Sequence, residues 1–459
     1  METEDHGMAN AQSSSTQPNK SSGASTGDTQ SHAWKLYVLC SVPFIMVLGN
    51  SMLIPVLPKM MKVMHLSLFQ VGLVITIFSI PAGIVIPVAG ALSDRIGRKI
   101  IMAPSLLVYG VAGLGAGFSA WLFPHPFPWI MGFRLLQGIG AGGTYQLAMA
   151  VAGDMFQSKQ RARALGILEA SNGLGKVISP IAGSALALIV WFTPFFVYGI
   201  LSFPAAAAIW FLLKEPSKAS STKGGIGSYW NGIKTTFTTK GGSIFATFLD
   251  GAVVLFILFG VLSYLADILE KNFGYGEFTR GLLIAIPVLA SAITSYVSGT
   301  VLQKKLAAWS RPIVAGGLLT IAISMAIEPF LTTVSPFWSL FVLVFQGIGT
   351  GSTLPAVNTL VTSATTSKER GVVTSLYGSV RFFGVAMGPP LFATAMSHRF
   401  VVFWGAAALA LGASLISWFL INEDKMLPQK MRGGGGGSSP PSRFSPQNSK
   451  TPGPREKLS

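Results

Sequence analysis

Charge is what this sequence most lacks. Only 11% of its 459 residues are charged, while 50% are hydrophobic; a soluble protein carries about a quarter charged residues. Acid is the scarcer sign, with 17 Asp and Glu against 33 Lys and Arg and a formal net charge of +16. A basic excess suits nucleic acid only when it clusters on one folded face. Here the cations fall in short gaps between apolar runs, so no nucleic-acid partner is expected. The single cysteine, Cys40, lies inside the first apolar run, which excludes an intrachain disulfide and reads as a small buried apolar residue. The five histidines are scattered, and no metal-ligand or nucleophile constellation is visible. No cofactor, no metal and no enzyme activity are expected. Residues 1–33 are polar and lack the apolar core of a cleavable signal peptide.

What the chain has instead is long apolar runs. A membrane-crossing helix needs about 20 such residues, and reading from gap to gap gives spans at 36–58, 69–93, 100–121, 128–153, 163–189, 191–213, 241–267, 279–303, 311–330, 337–362, 370–396 and 400–421. The expected fold is an all-α membrane protein of twelve transmembrane helices in two pseudo-symmetric six-helix halves. Its parts are a disordered tail (1–34), a first bundle (35–213), a central loop (214–240), a second bundle (241–421) and a second disordered tail (422–459). Orientation follows the positive-inside bias. Lys59, Lys62, Lys271, Arg280 and Arg399 fall on one side and Arg134, Lys176 and Arg381 within spans, leaving 25 of the 33 cations with the tails, the central loop and the alternate loops. Both termini are therefore expected in the cytoplasm, in a multi-pass protein of the plasma membrane.

The gap between the second and third spans reads GALSDRIGRKII, four charges (Asp94, Arg95, Arg98, Lys99) around the hinge Gly97. By itself this can be a solvated turn. A shift of 209 residues then aligns the two halves: Gln137-Gly-Ile-Gly-Ala-Gly-Gly on Gln346-Gly-Ile-Gly-Thr-Gly-Ser, Ser158-Lys-Gln-Arg161 on Ser367-Lys-Glu-Arg370, and Gly175 and Pro180 on Gly384 and Pro389. The same shift puts Gly90 on Gly299 but Asp94 on Gln303, so the charged motif has decayed in the second half. Two related halves imply rocking around a midplane site.

These residues resemble the major facilitator superfamily, and within it the twelve-span drug:proton antiporters. Gly90, Leu92, Asp94, Arg95, Gly97, Arg98 and Lys99 complete the loop signature G-x-L-x-D-R-x-G-R-K. Arg134-Leu-Leu-Gln137-Gly138-Ile-Gly140-Ala141 matches the arginine-bearing pattern linked to proton coupling, and Gly166, Gly175, Pro180 and Gly183 keep the fifth-span antiporter spacing, with Ser179 and Ser184 where glycines are usual. The resemblance implies a conformational latch: Gly90, Asp94, Arg95, Gly97, Arg98 and Lys99, with Asp94 near the positive end of the eleventh helix and an arginine reaching Asp154.

Charges inside a membrane are functional candidates by default. At 1.5 Å per residue Arg134 lies about 9 Å from the outer end of its span, and Asp250 and Arg381 about 14 and 16 Å from their inner ends. Arg134, Glu169 and Asp250 are the proton-coupling candidates, with Asp250 or Glu169 as the carrier. The alternative is a set of buried ion pairs that fix packing. Asn50, Tyr145, Lys176, Phe256 and Arg381 are candidates for the substrate cavity. Gly138, Gly140, Gly175, Pro180, Gly183, Gly384, Gly388 and Pro389 read as helix-packing positions. The string Gly138-x-Gly140-x-x-Gly143 spells a dinucleotide fingerprint, but no strand precedes it and it sits mid-span. The expected function is proton-coupled export of small amphipathic compounds by a monomer, with protons and the bilayer as further partners. The alternatives are transport of a specific sugar, amino acid or organic anion, in which Lys176 and Arg381 hold a carboxylate, and a non-transporting receptor whose tails recruit partners.

Overall fold

The computed structural model describes residues 26–156, 158–213, 226–300, 303–364 and 370–427, and the regular structure among them is helical. In chain order the helices are α1 (Thr26–Ser51), α2 (Leu57–Met64), α3 (Leu68–Ile96), α4 (Arg98–Leu122), α5 (Phe127–Gly142), α6 (Tyr145–Met155), α7 (Ser158–Ala187) and α8 (Thr193–Leu212). The second half holds α9 (Ile226–Lys271), α10 (Glu277–Thr300), α11 (Gln303–Leu331), α12 (Pro336–Ser363), α13 (Arg370–Ala393), α14 (Ala395–Leu420) and α15 (Glu423–Met426). Of the tails expected at 1–34 and 422–459, residues 1–25 and 428–459 lie outside the described residues, whereas 26–34 belong to α1.

Helix breaks follow from side-chain chemistry. Pro55 and Pro58 lack the N–H that an α-helix needs, so α1 stops at Ser51 and a short 3-10 turn (Ile54–Val56) hands over to α2. The span expected at 128–153 is likewise two helices, parted at Gly143 and Thr144, whereas its counterpart α12 is continuous. The 209-residue shift puts Ser352 where Gly143 stands, and each glycine in a helix interior costs about 1 kcal/mol relative to alanine. Gly97 joins α3 to α4 with φ 113, a conformation that only glycine adopts without strain.

The repeat seen in the sequence is also a repeat of helix ends. The starts of α3 and α10 (68 and 277), the ends of α4 and α11 (122 and 331) and the starts of α5 and α12 (127 and 336) all differ by 209. Among the described residues, nine helices are long and apolar enough to cross a membrane. The spans expected at 128–153, 163–189 and 370–396 are not in that group. The first is split into two shorter helices, and the other two, α7 and α13, carry Glu169, Lys176 and Arg381 toward the protein interior rather than a uniformly apolar face.

Two further departures concern the segment boundaries. Residues 226–240, expected as loop, belong to α9, which runs unbroken for 46 residues. The second tail begins later than 422: Met426 and Leu427 are buried, and the Glu423 carboxylate accepts from the Arg311 backbone N–H at 2.7 Å.

Two helix pairs join the halves and are related by the same shift, α3 with α13 and α7 with α10. Along the first, Thr76 Oγ1 donates to the Ala386 carbonyl at 2.6 Å and Ser379 Oγ to that of Gly83 at 2.5 Å. Along the second, Gly281 lies against Ser184 and the Pro180 carbonyl. These contacts leave a cavity between the halves.

Candidate functional site

At the break after α1 the Leu48 and Asn50 carbonyls are taken by the Met52 and Leu53 N–H groups, and the Gly49 carbonyl is taken by Arg134. Its Nη1 donates to the Gly49 carbonyl at 2.8 Å and to Gln137 Oε1 at 2.9 Å, its Nη2 to Asn50 Oδ1 at 2.5 Å, and its Nε to the Val74 carbonyl at 3.0 Å. The guanidinium lies 4.5 Å over the Phe78 ring and is fully buried. A planar five-donor group satisfies this cluster of neutral acceptors, and the negative end of the α1 dipole adds to it. Arg134 therefore ties α1, α3 and α5 together, and no acid is hydrogen-bonded or ion-paired to it among the described residues.

Below this knot lies a cavity of about 60 Å³ lined from both halves. The first half contributes Asn50, Phe78, Tyr145, Gln146, Asn172 and Lys176; the second contributes Leu255, Phe259, Gly378, Arg381, Phe382 and Val385. Tyr145 donates its hydroxyl to Glu169 Oε2, and Glu169 and Arg381 both act electrostatically on Lys176. Arg381 is 9% exposed, its face 5.3 Å from the Tyr377 ring and its Nε without a hydrogen-bond partner. Asn50, Tyr145, Lys176 and Arg381 thus share one cavity, with Glu169 beside it. Phe256 stands apart, packing on Phe392 at 5.7 Å.

Asp250 is buried but lies elsewhere. Both its oxygens are 2.7 Å from Ser417 Oγ on α14, and it does not line the cavity. Its neighbour Gly251 lies against the Tyr377 ring, which also carries the Arg381 contact, so a packed path joins Asp250 to the cavity wall.

At one end of the bundle, Arg98 reaches Asp154 with Nη1 and Asp94 Oδ1 with Nη2, the latter at 3.5 Å. Asp94 Oδ2 lies 3.7 Å from the Cβ position of Gly371, at the start of α13. Gly90 packs on Ser375 of the same helix, Lys99 lies 5.6 Å over Trp210, and Arg95 sits in the last turn of α3. The packing glycines meet backbone directly: Gly138 the Phe78 carbonyl, Gly140 Tyr109, Gly175 Phe44, Gly183 Met52, Gly384 Ala252, Gly388 Phe256 and Gly260. Pro389 packs with Pro390 against Gly72, and Pro180 against Gly281.

Sequence reasoning missed the opposite end. Lys59 Nζ pairs with Glu277 Oε1 at 2.7 Å, Lys62 pairs with Glu270, and Glu270 also holds Arg280. The signal was present: cations after the first span and acids flanking the gap between the seventh and eighth, on opposite halves. Tyr377 was missed too, since an aromatic ring in an apolar run reads as core.

A two-half helical bundle enclosing a polar cavity, with cross-half contacts at both ends, is the architecture of a membrane transporter rather than an enzyme. Sequence comparison agrees: the Major Facilitator Superfamily profile matches residues 39–389 and 325–450, and the chain belongs to that superfamily. It is 38% identical over 389 residues to the bacillibactin exporter of Bacillus subtilis (strain 168), covering 84% of this chain and 95% of the relative. Multidrug resistance protein 1 of the same organism is 28% identical over 393 residues, covering 83% and 96%. Among solved structures, a bacterial homologue of the human lysosomal transporter Spinster, inward-facing and unoccupied, superposes with a TM-score of 0.69 at 18% identity, covering 86% and 98%.

Proposed function

We propose that this transporter exports small amphipathic compounds across the plasma membrane in exchange for protons, working as a monomer by alternating access with both termini in the cytoplasm. The observation that carries this reading is a cavity lined by α1, α3, α6 and α7 of one half and α9 and α13 of the other. A site built from both halves must change when they rock, which couples binding to access. Exporters among its relatives support the direction of transport. The test is a panel of amphipathic compounds in proteoliposomes with an imposed pH gradient. Gradient-driven accumulation with proton counterflow is expected; flux indifferent to the gradient would leave a uniporter.

In this reading the Asp94 end is the cytoplasmic gate. A carboxylate at a helix N-terminus contributes about 0.3–1 kcal/mol, and Asp94 makes that contribution only while α13 is docked. Removing about 1 kcal/mol changes a two-state ratio about fivefold. Asp94→Asn is therefore expected to slow turnover several-fold while substrate affinity stays nearly intact. Equilibrium binding and counterflow rates separate the two, and lost binding with normal turnover would contradict the latch.

A further inference from the structure

We propose that the cavity selects organic anions with an apolar body, clamped between Lys176 of one half and Arg381 of the other. The inference deepens the export reading and rests on it for the cavity being the substrate site. Three observations point to an anion. Two cations line the cavity, whereas none of the described residues lining it is acidic. The adjacent acid, Glu169, is engaged by the Tyr145 hydroxyl. Arg381, nine-tenths buried, keeps its Nε–H unpartnered, and a buried unpaired donor favours a ligand that accepts from it. A cationic substrate would instead meet two like charges in a site of low dielectric. The apolar body has its own lining in Phe78, Phe259, Phe382 and Val385. Because α7 carries Lys176 and α13 carries Arg381, an anion between them also offsets the repulsion of two like charges facing across the halves.

The experiment is equilibrium binding to the full chain in phosphatidylcholine nanodiscs, with three naphthalenes of similar size as probes: 2-naphthalenesulfonate, 2-naphthamide and 2-naphthyltrimethylammonium. Charge-assisted hydrogen bonds predict that the sulfonate binds at least about tenfold tighter than the amide, with the ammonium weakest. Lys176→Gln and Arg381→Gln should each weaken the sulfonate by about tenfold and leave the amide within about twofold, so the amide also reports that each variant is folded. Equal binding of the three probes, preference for the ammonium, or variants that weaken all probes alike would overturn the clamp. The binding assay needs no gradient. If the sulfonate behaves as expected but a pH gradient moves no probe in proteoliposomes, export fails and the anion site stands. Gradient-driven movement of the ammonium without sulfonate preference overturns the clamp and keeps export.

Discussion

Asp250→Asn is expected to yield a transporter that still exchanges substrate down its gradient but no longer responds to an imposed pH difference. Asparagine keeps the shape and an acceptor for Ser417 Oγ, whose contacts with both Asp250 oxygens are 2.7 Å, and removes the group that takes a proton. The choice of Asp250 over Glu169 as carrier follows from the charges around each. Glu169 lies beside Lys176 and Arg381. Protonating a carboxyl in that clamp would strengthen anion binding, so proton and anion would travel the same way. Exchange is better served by a carboxyl outside the cavity, and Asp250 meets that condition while reaching Arg381 through Tyr377. Glu169→Gln should then tighten 2-naphthalenesulfonate binding and keep the pH response. Gradient-driven uptake and counterflow measured on both variants decide the matter. An unchanged pH response in Asp250→Asn would remove it as the carrier.

The second large effect is structural. Arg134→Met should cost about 3–5 kcal/mol, because it leaves several buried acceptors unpaired at about 1–3 kcal/mol each. The groups stranded are the Gly49 carbonyl and Asn50 Oδ1, and Gln137 Oε1 keeps only the longer 3.4 Å contact from the Tyr198 hydroxyl. Arg134→Lys should recover only part of this, since an ammonium cannot present donors in the fork that these acceptors surround. Thermal unfolding in detergent, followed by tryptophan fluorescence, reads the difference. A midpoint for Arg134→Met within a degree or two of the parent would mean that water replaces the guanidinium and the knot is not structural.

The helices were legible in the sequence because apolar runs between charged gaps report the bilayer itself, and the 209-residue register reports the second half as a copy. The charged residues inside the bundle were legible for the same reason: Arg134 of the knot and Lys176 and Arg381 of the cavity are costly in hydrocarbon and so stand out. Their partners were not. Counting residues from a span end gives depth along a helix but not the direction of the side chain around it. Asp250 and Phe256 have midplane depth yet turn toward Ser417 and Phe392, outside the cavity. Nor does a run of residues show which carbonyl a proline break will free, here that of Gly49, or which side chains gather with it around Arg134. Glu169 and Lys176 were easier, because seven residues nearly complete two helical turns and place both on one face.

The two ends of the bundle are held by different forces, and this has a consequence for the medium. Asp94 acts on a helix terminus with 52% of its side chain exposed, whereas Lys59 and Lys62, 33% and 63% exposed, form ion pairs across the halves with Glu277 and Glu270, so charges at both ends are open to screening. Exposed charges are screened over a Debye length of about 8 Å at 0.15 M salt, falling to about 3 Å at 1 M. In the orientation proposed above, salt added outside reaches the Lys59 end and not the Asp94 end, so it should loosen the Lys59 end selectively. External salt becomes a lever on one half-cycle, release of cargo, and has little purchase on loading.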